Sequence, residues 1–205
     1  MIKASKAIRF EGDGYSEDWC KEAQKRGLTN INCVPEAILK YETKSAKEVL
    51  VGEGIFNETE LRSRVEVELE KFVKKIQIES RVLGDLTINH IVPTAIAYQN
   101  RLLENIIGMK QIFDKEEYEH LSEARKSLVK EISEYVSEIK AQVKDMTEER
   151  KIANRIENME EKAFAYSNKV KPYLESIRNY VDNLEMEIDN EIWPLPKYRE
   201  LLFAK

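Results

Sequence analysis

The sequence contains few of the residues that interrupt regular structure or cross-link a chain. Its 205 residues include only seven glycines, five prolines and two cysteines. Cys20 and Cys33 are too few for a disulfide framework or a cysteine-rich metal site, and they make a reducing cytoplasm the expected location. Because helix breakers are scarce and Glu, Lys, Leu, Ile and Ala abundant, the composition predicts an all-α protein.

The chain also lacks a basic excess and a long hydrophobic run. Its formal net charge of −5 argues against general nucleic-acid binding, which usually relies on a basic surface. The N-terminus has no apolar segment of the kind that signal peptides contain. Residues 82–100 carry a single formal charge, Asp85, but polar residues interrupt this stretch too often for a membrane span. We therefore expect no membrane and no nucleic-acid partner.

Residues 1–56 are predicted to form a loop-rich lead-in with short helices. Ser16 is placed to cap a helix that ends at Gly27. Pro35 suits the first turn of a second helix, which should run to about Tyr41. One or two further turns are expected between Ser45 and Val51. This region is too small to hold a core of its own.

Residues 57–205 are predicted to form three long helices. Asn57 and Glu60 have the spacing of a capping box at the start of the first helix. Connections at residues 113–115 and 156–158 are short, so consecutive helices should pack antiparallel in an elongated bundle. Near-heptad apolar stripes predict shallow packing angles. The stripes comprise Leu61, Val65, Leu69, Phe72, Ile76 and Leu83; Tyr118, Leu121, Leu128, Ile132, Tyr135, Ile139, Val143 and Met146; and Met159, Ala163, Tyr166, Val170, Tyr173, Ile177, Val181, Leu184 and Ile188.

Two prolines fall inside these helical patterns. Pro93 and Pro172 should kink the first and third helices or make them restart. The chain closes with an apolar tail after the third helix. Its large side chains should pack back on the body of the protein or on another chain; they are Trp193, Leu195, Leu201, Leu202 and Phe203.

The residues alone indicate no active site. Glu117 and His120 share one helical face, as in metal-binding bundles, but the sequence lacks the second such pair that a di-iron site requires. Asp85, Asn89 and His90 lie in an apolar setting, where we expect them to be buried polar groups satisfied by hydrogen bonds. The sequence thus predicts no catalytic, cofactor-binding or metal-binding residue.

Several long segments resemble one enzyme family, the type III glutamine synthetases. LGDLTINHIVPTAIAYQN at 83–100 is similar to a signature near the C-terminus of that family. GDGYSEDWCKEAQKRGL at 12–28 and ELEKFVKKIQIESRVLG at 68–84 are similar to two further family segments. The ending, KPYLESIRNYVDNLEMEIDNEIWPLPKYRELLF at 171–203, resembles the family's terminus. The resemblance covers nearly the whole chain.

The resemblance implies that this chain is the C-terminal region of a longer enzyme. The family uses ATP and a divalent metal, Mg²⁺, to join ammonia to glutamate through a γ-glutamyl phosphate. None of the family's metal, nucleotide or substrate residues matches a residue of this sequence, so no cofactor is expected here. Residues 4–16 would form the edge of the missing catalytic domain. The implied partners are that domain and neighbouring subunits of a ring oligomer.

Two other functions remain open from the sequence. A free-standing helical-bundle or coiled-coil adaptor would use the same charged helices to bind a partner. A metal-binding bundle built on Glu117 and His120 is a third possibility. The heptad stripes could close within one chain as three helices or recruit a second copy, and the sequence does not distinguish these arrangements.

Overall fold

The computed structural model describes residues 9–202, and every regular element within that range is helical. The all-α prediction is therefore confirmed. The chain divides into two compact units, Met1–Val65 and Glu66–Lys205. Among the described helices, none combines the length and hydropathy needed to cross a membrane.

The first unit contains short helices whose ends follow from local chemistry. Helix α1 (Glu17–Lys25) begins where the Ser16 side chain accepts a hydrogen bond from the Trp19 backbone N–H. Gly27 follows the helix with a φ of +69°, a left-handed conformation that glycine adopts without strain. Helices α2 (Val34–Leu39) and α3 (Lys44–Leu50) follow, with a 3₁₀ turn at Lys40–Glu42. The short helices predicted from the sequence are confirmed.

Helix α4 (Glu58–Leu86) starts with the predicted capping box. The Asn57 side chain accepts a hydrogen bond from the Glu60 backbone N–H at 2.9 Å, and the Asn57 N–H donates to Glu60 Oε2 at 2.9 Å. The side chain of each residue thus accepts a hydrogen bond from the backbone N–H of the other. These N–H groups would otherwise lack partners at the helix end.

Three long helical stretches form the second unit, as predicted. The first continues from α4 through a π-helical turn (Thr87–Ile91) into α5 (Val92–Ile112). The second is the single helix α6 (Lys115–Asn154). The third joins α7 (Met159–Ala165), a π-helical turn (Tyr166–Val170) and α8 (Lys171–Glu187); the short helix α9 (Tyr198–Leu202) follows.

The first and second long stretches pack antiparallel. Gln99 Nε2 donates to the Val129 carbonyl oxygen at 2.8 Å, whereas Gln77 Nε2 donates to Asn154 Oδ1 at 2.9 Å. Between these contacts, Gly84 faces Val143. As residue numbers rise along α4 and α5 they fall along α6, which is the antiparallel order that the short connection predicts.

The core of the second unit follows the apolar stripes. On α6 the buried residues Ile132, Ile139, Met146 and Ala153 recur every seven residues. This period keeps one seam turned toward neighbouring helices. The stripe is less buried near the start of α6, where Leu121 is 43% exposed. Other buried apolar residues of this unit are Leu69, Phe72, Val73, Ile76, Ile91, Val92, Ala95, Ile106, Ala163, Tyr166, Val170, Ile177, Val181, Leu184 and Ile188.

The two prolines inside the long stretches each follow a π-helical turn. The Val92 N–H donates to the Thr87 carbonyl, five residues back, and the Lys171 N–H donates to the Tyr166 carbonyl in the same way. A proline ring clashes with the carbonyl four residues earlier in a regular α-helix, and a wider turn provides room for it. The helical path therefore continues through Pro93 and Pro172 instead of ending there.

The prediction that Asp85, Asn89 and His90 are buried is wrong. All three side chains are exposed, and Asn89 Nδ2 donates to Asp85 Oδ1 at 2.5 Å on the surface. The buried polar residue of this stretch is Thr87, whose hydroxyl donates to the Leu83 carbonyl at 2.6 Å. Residues 82–100 therefore have one buried side and are not covered by protein on most sides.

The apolar tail packs back only in part. Trp193 is buried, and Lys197 Nζ donates to the Glu185 carbonyl at the end of α8 at 2.6 Å. Leu201 and Leu202 are exposed and do not pack on this body, and the alternative that they pack on another chain stays a prediction. Phe203 lies outside the described residues.

Candidate functional site

Glu117 and His120 lie exposed near the start of α6. The Glu117 backbone N–H donates to Asp114 Oδ1, which is a helix-cap contact. Within residues 9–202, no group of three or more His, Cys, Asp and Glu side chains is arranged to hold a metal ion. The structure therefore does not bring the sequence candidates Asp85, His90, Glu117 and His120 together as a metal site.

One outer face of α5 carries large apolar side chains in contact with water. Ile96, Leu103 and Ile107 are 43%, 40% and 58% exposed. Their spacing of seven and four residues places them on the same side of the helix. We call these three residues the α5 face. Large apolar side chains exposed together on one helix face are typical of sites where another protein surface packs.

A polar cluster joins three helical segments at the other end of α6. Asn154 Oδ1 accepts hydrogen bonds from Gln77 Nε2 on α4 at 2.9 Å and from the hydroxyl of Tyr166 at 2.7 Å. Tyr166 is fully buried in the π-helical turn between α7 and α8. One turn before Asn154 on α6 lies Arg150, and one turn after Gln77 on α4 lies Arg81. We call these five residues the arginine cluster.

The electrostatics of the arginine cluster are set by burial and by like charge. Burial, and then the nearby positive charge of Arg81, lowers the pKa of Arg150. Burial also raises the pKa of the Tyr166 hydroxyl, although the charges of Arg150 and Arg81 oppose that shift. The Arg150 Nη1 atom is covered by protein and has no hydrogen-bond acceptor. The cluster thus has donors and positive charge in excess of acceptors.

The arginine cluster is absent from the functional residues that the sequence predicts. Arg150 lies four residues after Met146 and three before Ala153, both of which are buried on α6. An arginine at such a position interrupts an otherwise apolar stripe, and this was the signal available in the sequence. Tyr166 was identified only as a core residue, since its polar partners come from other helices.

The sequence model of the glutamine synthetase C-terminal domain family matches residues 1–110. This is just over half of the chain, and it includes the α1 segment, α4 and most of α5. The matched region therefore contains the α5 face.

The chain is also similar to curated proteins along nearly its whole length. It is 67% identical to "Glutamine synthetase" of Bacteroides fragilis (strain YCH46), with 100% of this chain and 28% of the relative covered. It is 30% identical to "Type-3 glutamine synthetase" of Dictyostelium discoideum, with 97% and 27% covered. A "Glutamine synthetase" of Butyrivibrio fibrisolvens is 27% identical over 99% of this chain and 28% of the relative. The chain thus spans little more than a quarter of the length of these relatives, and it belongs to the glutamine synthetase C-terminal domain family.

Proposed function

We propose that this chain is the C-terminal helical region of a type III glutamine synthetase and that its role is structural. In the whole enzyme it would pack against the catalytic domain of the same polypeptide and against neighbouring subunits of a ring oligomer. Residues 1–56 would border the catalytic domain, and residues 57–205 would form the helical bundle. The support is the family match together with the small share of each relative that this chain covers.

The chemistry of the whole enzyme would reside outside this chain. A glutamine synthetase joins ammonia to glutamate with ATP and a divalent metal, and we propose that the region described here supplies none of the groups that bind them. The enzyme would work in the cytoplasm, in keeping with the low cysteine content. By itself, this chain would form no glutamine.

The observation that carries the docking proposal is the α5 face. Ile96, Leu103 and Ile107 are exposed although they lie on a helix whose adjoining side, including Ala95 and Ile106, is buried. Burying a fully exposed apolar side chain of this size contributes roughly 1.5–3 kcal/mol, so covering the remaining half of each of the three would contribute about 2–4 kcal/mol together. The partner that we assign to this face is the remainder of the synthetase polypeptide.

The experiment places a charge on the α5 face in the whole synthetase. Ile107→Glu would leave a carboxylate in an apolar contact, which is costly, so we expect loss of the assembled oligomer and of most glutamine formation. Ile152→Glu is the matched control, because Ile152 is 57% exposed, nearly the same as Ile107, but lies on α6. Sedimentation velocity and glutamine formation are measured for both variants.

The same substitutions in the 205-residue chain alone separate docking from folding. Because both side chains are exposed, the free energy of unfolding of each variant should lie within about 0.5 kcal/mol of that of the parent chain. If the whole synthetase carrying Ile107→Glu keeps its full mass and activity, the α5 face is not a docking surface.

A further inference from the structure

The arginine cluster contains two positive charges without a negative partner. Among the described residues, no carboxylate lies within ion-pair distance of the guanidinium group of Arg81 or Arg150. Two of the acidic residues nearby in sequence are engaged elsewhere, since Glu79 pairs with Lys75 at 4.0 Å and Glu148 pairs with Lys151 at 2.7 Å. Because Gln77 contacts Asn154 and Gly84 faces Val143 across these antiparallel helices, Arg81 and Arg150 lie at matching positions between those two contacts.

Arg150 is the more constrained of the two. It is partly buried, and its Nη1 atom is enclosed with no acceptor, which is uncommon because covered donors are nearly always hydrogen-bonded. Leaving a covered donor unsatisfied is costly, and more so when the group is charged. The neighbouring seam positions on α6, Met146 and Ala153, are apolar and buried, so Arg150 interrupts an apolar seam.

The rest of the arginine cluster holds the site in place. Asn154 Oδ1 receives two hydrogen bonds, from Gln77 at 2.9 Å and from Tyr166 at 2.7 Å. These contacts link α4, α6 and the π-helical turn after α7, so the helices that carry Arg81 and Arg150 are fixed in register. Arg81 is exposed, which leaves one side of the site open to solvent. A pre-organised site of this kind loses little entropy when a ligand binds.

We infer that Arg81 and Arg150 form a binding site for a small free oxyanion of the phosphate class. A guanidinium group presents a planar fork of N–H donors that matches two oxygens of a phosphate or carboxylate. A doubly charged anion would neutralise both arginines. The ligand would enter from the exposed side at Arg81 and accept hydrogen bonds from the N–H groups of Arg150 other than the enclosed Nη1.

This inference goes beyond the proposed function and does not depend on it. The arginine cluster lies on residues 77–81, 150–154 and 166, and only the first of these segments falls within the matched family region of residues 1–110. The α5 face is a separate set of residues on another helix. A failure of docking would thus leave the anion site untouched, and the reverse also holds.

The test uses inorganic phosphate as the probe and the 205-residue chain as the protein. The thermal midpoint is followed by circular dichroism while phosphate replaces chloride at constant ionic strength, and the affinity is measured by calorimetry. Phosphate should raise the midpoint by several degrees, because a ligand that binds only the folded state stabilises it by mass action. Chloride at the same ionic strength should produce no such increase.

Variants assign the effect to the two arginines. Arg150→Met and Arg81→Met should each weaken phosphate binding about tenfold or more, since a charge-assisted fork is lost. Arg81 is exposed, so its substitution tests the site even if Arg150→Met fails to fold. Arg125→Met is the control, because Arg125 lies exposed on α6 and donates to the Leu121 carbonyl at 2.9 Å.

Two results would overturn the inference. One is an equal rise of the midpoint in chloride and in phosphate, which would mean that only ionic strength acts. The other is unchanged phosphate affinity in Arg81→Met and in every folded Arg150 variant.

Discussion

Replacing Gly84 with alanine should stabilise the second unit. Gly84 lies inside α4, where glycine is about 0.8–1.0 kcal/mol less favourable than alanine. A Cβ atom added there would lie 3.6 Å from Val143 Cγ1 and 3.7 Å from Met146 Cε, which are ordinary van der Waals distances. The new methyl group would therefore fill space without displacing α6, and we expect a gain of about 1 kcal/mol.

Urea denaturation followed at 222 nm measures this gain, and an unchanged slope would mean that the folded and unfolded states expose the same surface as before. For a chain of this size, the same gain should raise the thermal midpoint by about 2–4 °C. Two other glycines provide controls. A Cβ atom added at Gly108 would contact no atom within 4 Å, so Gly108→Ala should stabilise the protein through helix propensity alone. Gly27→Ala should destabilise it, because Gly27 has a φ of +69°, which alanine adopts only with strain.

The reasoning about Gly84 would be refuted by one combination of results. If Gly84→Ala lowers the urea midpoint while Gly108→Ala raises it, alanine stabilises a helix as expected at Gly108. The inference that a methyl group at Gly84 fits against α6 is then wrong. The helices α4 and α6 would then approach each other more closely at this position than the Cβ distances indicate.

Two further substitutions test the ends and the interior of the helices. Asn57→Ala removes the acceptor for the Glu60 N–H at 2.9 Å and should cost about 0.5–2 kcal/mol in urea denaturation, and no loss would mean that the capping box does not stabilise α4. Tyr166→Phe should change how stability depends on alkaline pH. Burial raises the pKa of the Tyr166 hydroxyl in the folded protein above the ordinary value of 10.0. The stabilisation by the neutral hydroxyl is therefore present below pH 10.0 and is lost as the pH rises through the higher folded pKa. The variant should therefore lose less stability than the parent above that pH, and equal losses would contradict the assigned cause.

Much of the helical architecture could be predicted because it depends on neighbours in sequence. Ser16 and Asn57 cap helices through groups three residues away, and Gly27 ends α1 by adopting a conformation open to glycine. The heptad seam of α6 at Ile132 and Ile139 follows from the spacing of apolar residues. The order of the long helices then followed from short connections.

The errors concern which side of a helix is covered. The low charge of residues 82–100 led to the expectation that Asp85, Asn89 and His90 are buried, yet this stretch exposes these three side chains together with Val82 and Ile96. A stretch with few charges need not be buried within its own chain. An exposed helix face can also have few charges when another protein surface packs on it.

The arginine cluster could not be predicted because its geometry is long-range. Gln77 and Asn154 are separated by 77 positions and meet only after α4 and α6 pack. Leu201 and Leu202 present the same difficulty, since the apolar character of a tail does not specify the surface that covers it. Local patterns indicate that such residues need a partner, whereas the partner itself depends on the tertiary and quaternary structure.

Glutamine formation by the 205-residue chain alone tests the central claim most directly. The chain is incubated with glutamate, ammonia, ATP and Mg²⁺, and glutamine is quantified by mass spectrometry against a reaction without protein. We predict no glutamine above that background, because the catalytic groups would belong to another part of the synthetase. Reproducible glutamine formation that depends on ATP and on the chain would contradict a purely structural role for this region.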